Sequence, residues 1–185
     1  MDKIQINNNF SLPMPVVMVG TKVDDKVNFM TVGWITRVNN APPMLGIGIS
    51  KAHLTNENIR KNGAFSVNFP NSKLVAQTDH CGIVSGHKED KSKIFDLFYG
   101  SLDVPMIKEC PVTLECQLVE TVELPTNTFF IGEIKNAWAD KAALDGNKFS
   151  FDLSDLFILT MPDNQYRAIA KPIAKAWNPA NIKLS

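Results

Sequence analysis

The stretch from Pro15 to Ser50 constrains the fold most, because turn signals cut it into three short segments rich in β-branched residues. Pro15 to Val23 is the first, closed by the polar turn Asp24-Asp25-Lys26. Val27 to Val38 resumes with Phe29, Thr31, Ile35 and Thr36, so the two read as a hairpin. Ala41-Pro42-Pro43 then breaks the chain, since consecutive prolines remove backbone donors and fix φ. Met44 to Ser50 is the third strand. Its Gly46 and Gly48 predict that something large approaches the backbone.

Helical signals are few. Thr55 predicts an N-cap, with Glu57 in the first turn and Asn62-Gly63 as the stop. Ala64 to Phe69 alternates as a half-buried strand closed by Pro70. Ser72 to His80 predicts a short helix with Leu74 and Val75 inward, Cys81 to Asp90 a loop, and Lys91 to Phe98 a weak helical piece. The β pattern returns over Val112 to Val122 and Thr128 to Trp138, and Leu144 to Asn147 is a turn. The sum is mainly β with a few helices, which predicts a barrel or sandwich rather than a doubly wound sheet. We read the 185 residues as one domain, with a core over about 13–140 and a C-terminal wrap over 141–185.

Nineteen basic and nineteen acidic residues cancel, which argues against nucleic acid or an anionic membrane surface as a partner. No apolar run approaches the ~20 residues that span a bilayer. The Asn-rich start lacks a signal-peptide pattern. Cys81, Cys110 and Cys116 are odd in number and show no CxxC spacing, so a reducing cytoplasmic location is expected rather than a disulfide or zinc framework. GxGxxG, GxxxxGK[ST], GxSxG and HExxH are all absent. The sequence singles out no catalytic side chain and no metal ligand; redox or group-transfer chemistry would fall to a cofactor.

Asn28 to Val38, then Pro42-Pro43, then Ser50-Lys51-Ala52-His53-Leu54-Thr55, resemble the flavin reductase-like, FMN-binding split-barrel family. The nearest subgroup is the flavoredoxin-type proteins. Ala64 to Asn68, Asp79 to Gly86 with Asp90-Lys91, Pro111 to Cys116 and Phe130 to Ile134 extend the likeness, which covers roughly residues 13 to 140. It implies a Greek-key split β-barrel, FMN as cofactor, and a homodimer with the cofactor near the subunit boundary. The activity it implies is NAD(P)H-dependent flavin reduction, with hydride passing from nicotinamide to flavin N5. Two alternatives stay open: a flavoredoxin-like electron carrier between redox proteins such as ferredoxin, and a non-catalytic split-barrel module that binds flavin or another ligand.

Three clusters carry the implied cofactor site. Isoalloxazine is a flat aromatic with one polar edge, so it needs an apolar wall and aimed donors. Asn28, Thr31, Val32, Gly33 and Trp34 form the first cluster, where backbone N–H groups serve that edge and Gly33 permits close approach. Thr31 adds a hydroxyl, and Trp34 a ring contact or plain packing. Gly48, Ile49, Ser50, Lys51, Thr55 and Asn56 form the second, running past the ring edge to the phosphate. Here Thr55 and Asn56 are the phosphate candidates at a helix N-terminus, and Lys51 adds charge. Cys81, Ser85 and Lys91 form the third, with Lys91 placed to favour reduction of the ring electrostatically. Cys81 reads better as a small buried hydrophobe than as a redox thiol. His80 and His87 are expected at the surface, and Tyr166 to Trp177 is the segment expected to reach a partner subunit.

Overall fold

The structure, a computed structural model, describes residues 2–177. Strands β1 (Val17–Val23) and β2 (Lys26–Val32) form the expected hairpin. Its two-residue turn puts Asp24 and Asp25 at φ 49° and 63°, the left-handed pair whose twist matches that of the flanking strands.

The single strand expected over Val27–Val38 is instead two. β2 stops at Val32, and β3 (Ile35–Asn39) starts after Gly33-Trp34. Sheet order gives the reason. With β4 (Met44–Ser50), β5 (Ala64–Phe69), β6 (Val112–Glu123) and β7 (Asn127–Ala139) they form a seven-stranded antiparallel sheet, ordered β2-β1-β5-β6-β7-β4-β3. β2 and β3 are therefore opposite edges of one sheet, although three peptide links, about 11 Å at most, join Val32 to Ile35. The sheet must curl until its margins face each other, and the barrel is split at Gly33-Trp34. Val17, Val19, Leu45, Ile47, Ile49, Phe65 and Phe130 fill the interior. The mainly β, split-barrel expectation holds.

Helix α1 (Leu54–Asn62) ends as expected, with Gly63 at φ 68° closing the last turn onto Ile59 O. Its start differs. His53 holds the N-cap position without a side-chain capping bond, and Thr55 lies inside the first turn, 1% exposed. Thr55 is no cap because its hydroxyl is engaged by Asn28 from β2. Helix α2 (Val75–Ile83) runs past the expected end and carries Cys81 on its last turn. The helical piece expected over Lys91 to Phe98 reduces to one 3-10 turn, Ser92–Ile94, after which Leu97–Phe98 pairs with Met106–Ile107. Phe95 packs edge-on against Phe29 at 5.5 Å, and this second apolar cluster takes in Cys81 from α2 and Leu74 from the turn before it.

The C-terminal segment folds back on its own chain. A hairpin of β8 (Phe157–Thr160) and β9 (Gln165–Ala168) pairs with Met14–Pro15, and the Tyr166 hydroxyl donates to Asp79 Oδ1 on α2 at 3.1 Å. Tyr166 thus ties the hairpin to α2 of its own chain. Ile173 and Trp177 are fully exposed. The part of the expected wrap over 178–185 lies outside the described residues. Among those described, no helix is long and apolar enough to cross a membrane.

Candidate cofactor-binding site

Two cavities open at the seam and share Met30 and His53. The wider is a groove of about 320 Å³, lined by Thr31, Val32, Gly33, Trp34, Gly48 and Ser50 and rimmed by Met14, Leu159 and Met161. The narrower is a recess of about 80 Å³ between the start of α1 and the end of α2. Asn28, Thr55, Cys81, Ser85, Gly86 and Lys91 line it.

The groove has donors because the sheet ends there. Ile35 N–H bonds Gly33 O at 3.1 Å and Gly48 N–H bonds Trp34 O at 2.9 Å. Both bonds use carbonyls; among the described residues nothing accepts from the N–H of Gly33 or Trp34. At a half-buried and an exposed position, these donors are open to water or to a ligand. Thr31 donates its hydroxyl proton to Thr78 O, so its oxygen is left as an acceptor. Trp34 is 60% exposed and lies over Gly48, where an added Cβ would come within 3.5 Å of the indole. At Gly46 the large neighbour is the chain's own Phe129 ring, which a Cβ would overlap.

The recess is built around Lys91. The side chain is 2% exposed, and Nζ donates to Phe29 O and Cys81 O, each at 3.0 Å. An ammonium has three donors, so one is left over. No carboxylate pairs with it among the described residues. Glu89 acts on it only at longer range and is itself bound to His80 at 2.8 Å. Burial pulls the Lys91 pKa below the ordinary lysine value. The Cys81 thiol is pushed up to about 11 by burial, against the opposing charge of Lys91, so it stays protonated and unreactive at neutral pH.

Other groups at the recess are equally incomplete. Asn28 Nδ2 donates to Thr55 Oγ1 at 2.8 Å, while its buried Oδ1 has no partner among the described residues. That oxygen abuts the Cα of Gly86, which leaves no room for a Cβ there. At the mouth of α1, Asn56 N–H bonds His53 O at 2.9 Å, while no described residue accepts from Leu54 or Thr55 N–H. These orphan groups make the positive end of the helix.

Of the residues singled out in the sequence, Asn28, Thr31, Val32, Gly33, Trp34, Gly48, Ser50, Thr55, Cys81, Ser85 and Lys91 line the two cavities. Ile49, Lys51 and Asn56 do not. Ile49 points into the barrel core, fully buried. Lys51 is drawn to Glu123 at 3.0 Å. Asn56 donates to Ile49 O at 3.1 Å and accepts from Arg60 Nε at 3.0 Å, so its amide braces the helix. Gly86, which the resemblance placed near the cofactor with Ser85, lines the recess as well. Sequence reasoning gave no role to His53 within its motif and passed over Met30 and the rim residues Met14, Leu159 and Met161. Met30 was recoverable, two residues from Asn28 along the same strand face; the rim comes from distant segments and left no local signal.

A family model described as the flavin reductase-like domain matches residues 10–170. The chain belongs to the flavin reductase-like family. The match extends past the stretch where the sequence resemblance was legible and takes in the β8–β9 hairpin. Among solved flavin reductase-like and related folds, flavoredoxin from Methanosarcina acetivorans is 49% identical with a TM-score of 0.94, over 97% of this chain and 98% of that one. Flavoredoxin of Desulfovibrio vulgaris (Miyazaki F) is 29% identical with a TM-score of 0.89, over 97% and 100%. An FMN-binding protein from Thermus thermophilus, solved with 1-cyclohex-2-enone, shares the fold at 22% identity and a TM-score of 0.80, over 95% and 98%.

Proposed function

We propose that this flavin reductase-like chain binds FMN across the seam and acts as a flavoprotein oxidoreductase. Lys91 carries the reading. A buried ammonium with a spare donor and no carboxylate partner is unfavourable by several kcal/mol in effective terms. A phosphate beside it, at the open N–H groups of α1, relieves that strain on the charge. The residues present fit FMN: the recess supplies cationic and helix-end donors, the groove supplies an apolar wall and the Gly33 and Trp34 N–H pair.

We therefore assign the phosphate to the Lys91 recess and the isoalloxazine to the Trp34 groove. Lys91 and Thr55 share one small recess, so we give both to the phosphate, in place of a role for Lys91 at the ring. Gly33 and Trp34 N–H orient the polar edge of the ring. Met14, Met30 and Met161 would offer polarizable contacts to it. FMN bound there supplies reversible electron transfer through its ring, a chemistry no side chain of the site provides.

Two activities share this site, an NAD(P)H:flavin reductase and a flavoredoxin-type electron carrier. The comparisons favour the carrier, through the likeness to two flavoredoxins.

The deciding experiment is the visible spectrum of the purified, FMN-loaded protein under anaerobic conditions, first with NADH or NADPH and then with reduced ferredoxin. Fast bleaching by ferredoxin with negligible bleaching by either nucleotide supports the carrier. The reverse order returns the reading to a reductase. If FMN neither colours the protein nor raises its melting temperature, the chain is a ligand-binding module of another kind. We also assign a second copy of the chain as the cover for Trp34 and the exposed Ile169, Ile173 and Trp177. A monomeric mass by sedimentation would remove that assignment.

A further inference from the structure

We infer that His53 is a phosphate-binding residue at the junction of the two cavities, and that it takes up a proton when FMN binds. The inference rests on the FMN reading above. His53 stands at the N-cap of α1 and lines both the groove and the recess, a position it shares with Met30 alone. Its ring is exposed, gives the helix no capping bond, and makes no hydrogen bond to any described residue. An N-cap side chain that leaves its helix uncapped has its polar atoms available to a ligand at the same N–H groups.

The charges around His53 determine what the ring does. Lys91 faces it from the recess, and His87 from the loop after α2. His87 is turned toward Glu57 on α1 at 3.5 Å. Lys51, on the turn that precedes the helix, is held by Glu123, and Cys81 on α2 is a neutral thiol. Among the described residues, no carboxylate acts on the imidazole. Partial burial, with Lys91 and His87 adding to it, holds the ring below the ordinary histidine value, so it is neutral at pH 7 in the free protein. A phosphate dianion at the helix mouth reverses the sign of that field. One proton from solvent then adds to the free ring nitrogen, and the imidazolium pairs with the phosphate.

The linkage has a definite sign. A ring whose pKa rises on binding makes FMN affinity fall as pH climbs from the free value to the bound one, by up to about tenfold per pH unit in that window. Calorimetric titration of the apoprotein at pH 7.5, in two buffers of different ionisation enthalpy, counts the protons. We expect on the order of half a proton or more taken up per FMN. His53→Gln should take up less by that same amount while still binding FMN, and riboflavin should show none of the His53-dependent uptake. NMR of the His53 ring in the wild-type protein gives the same answer without a substitution. Its pKa should lie below the ordinary value when free and rise when FMN is bound. Equal proton uptake by the wild type and His53→Gln, an unmoved ring pKa, or His53-dependent uptake with riboflavin overturns the inference and leaves FMN binding intact. No FMN binding by any of these proteins overturns both readings.

Discussion

Glu115 and Lys91 are both buried charges, and they are treated in opposite ways. Glu115, on β6, is 0% exposed, and its carboxylate accepts from Ser101 N at 3.1 Å, Ser101 Oγ at 3.2 Å, Leu102 N at 3.0 Å and Asn136 Nδ2 at 2.9 Å. The chain itself completes that charge, with no cation needed, and by doing so pins the 100–103 loop to the sheet. Lys91 is given two carbonyls, a spare donor and no counter-charge among the described residues. A complete shell belongs to scaffold; an incomplete one of the same depth belongs to a site built for an incoming ion.

The largest test falls on the scaffold side. Glu115→Ala leaves several buried donors unpaired and should cost about 3 kcal/mol or more, a fall in Tm of roughly 10 °C at this chain length. A Tm within a degree of wild type would end the comparison. Lys91→Met should behave conversely. FMN affinity falls about a hundredfold, from loss of charge-assisted bonds, while the apoprotein keeps its stability or gains some. Fluorescence quenching and an apoprotein melt read the two effects separately, and a Glu115-like loss of stability would make Lys91 scaffold as well.

The pH dependence sharpens the same contrast. Lys91 has a depressed pKa in the folded state, so between that value and the ordinary 10.5 the unfolded chain binds more protons than the folded one. Apoprotein stability, measured against Lys91→Met, should therefore rise with pH across that window and be lost as pH falls through the folded value. Urea midpoints at a series of alkaline pH values check this; a constant difference would show that the ammonium is buried at no cost. A smaller effect is expected at Gly86. Gly86→Ala forces Asn28 to shift, and should weaken FMN binding by about tenfold with a loss near 1 kcal/mol. Gly33→Ala meets only the flexible Met14 side chain, at 3.3 Å, and should be close to silent in stability.

What the sequence disclosed follows the range of the forces involved. The hairpin at Asp24-Asp25, the strands at Met44–Ser50 and Ala64–Phe69 and the long pair β6–β7 were legible because alternation and turn chemistry are local. The break at Gly33-Trp34 was not, because it reflects which strands become sheet edges. Thr55 read as a cap since threonine is a strong one, yet Asn28 claims its hydroxyl, and the cap position with its free ring passes to His53. Lys51 and Lys91 looked alike as charges in a motif. Only the fold shows that Glu123 reaches the first and that no described carboxylate reaches the second.

The two-residue joint at Gly33-Trp34 also makes the barrel a ring with a clasp. Its margins, β2 and β3, are tethered at one end and held by no ladder to each other along their length. A guest lodged beside the joint touches β2 on one side and, on the other, Trp34 and β4, the strand on which β3 is laddered, and so fastens the two margins. Amide exchange along Lys26–Val32 and Ile35–Asn39 should then slow in concert when FMN is added, while the central strands β5 and β6 keep the rates they had.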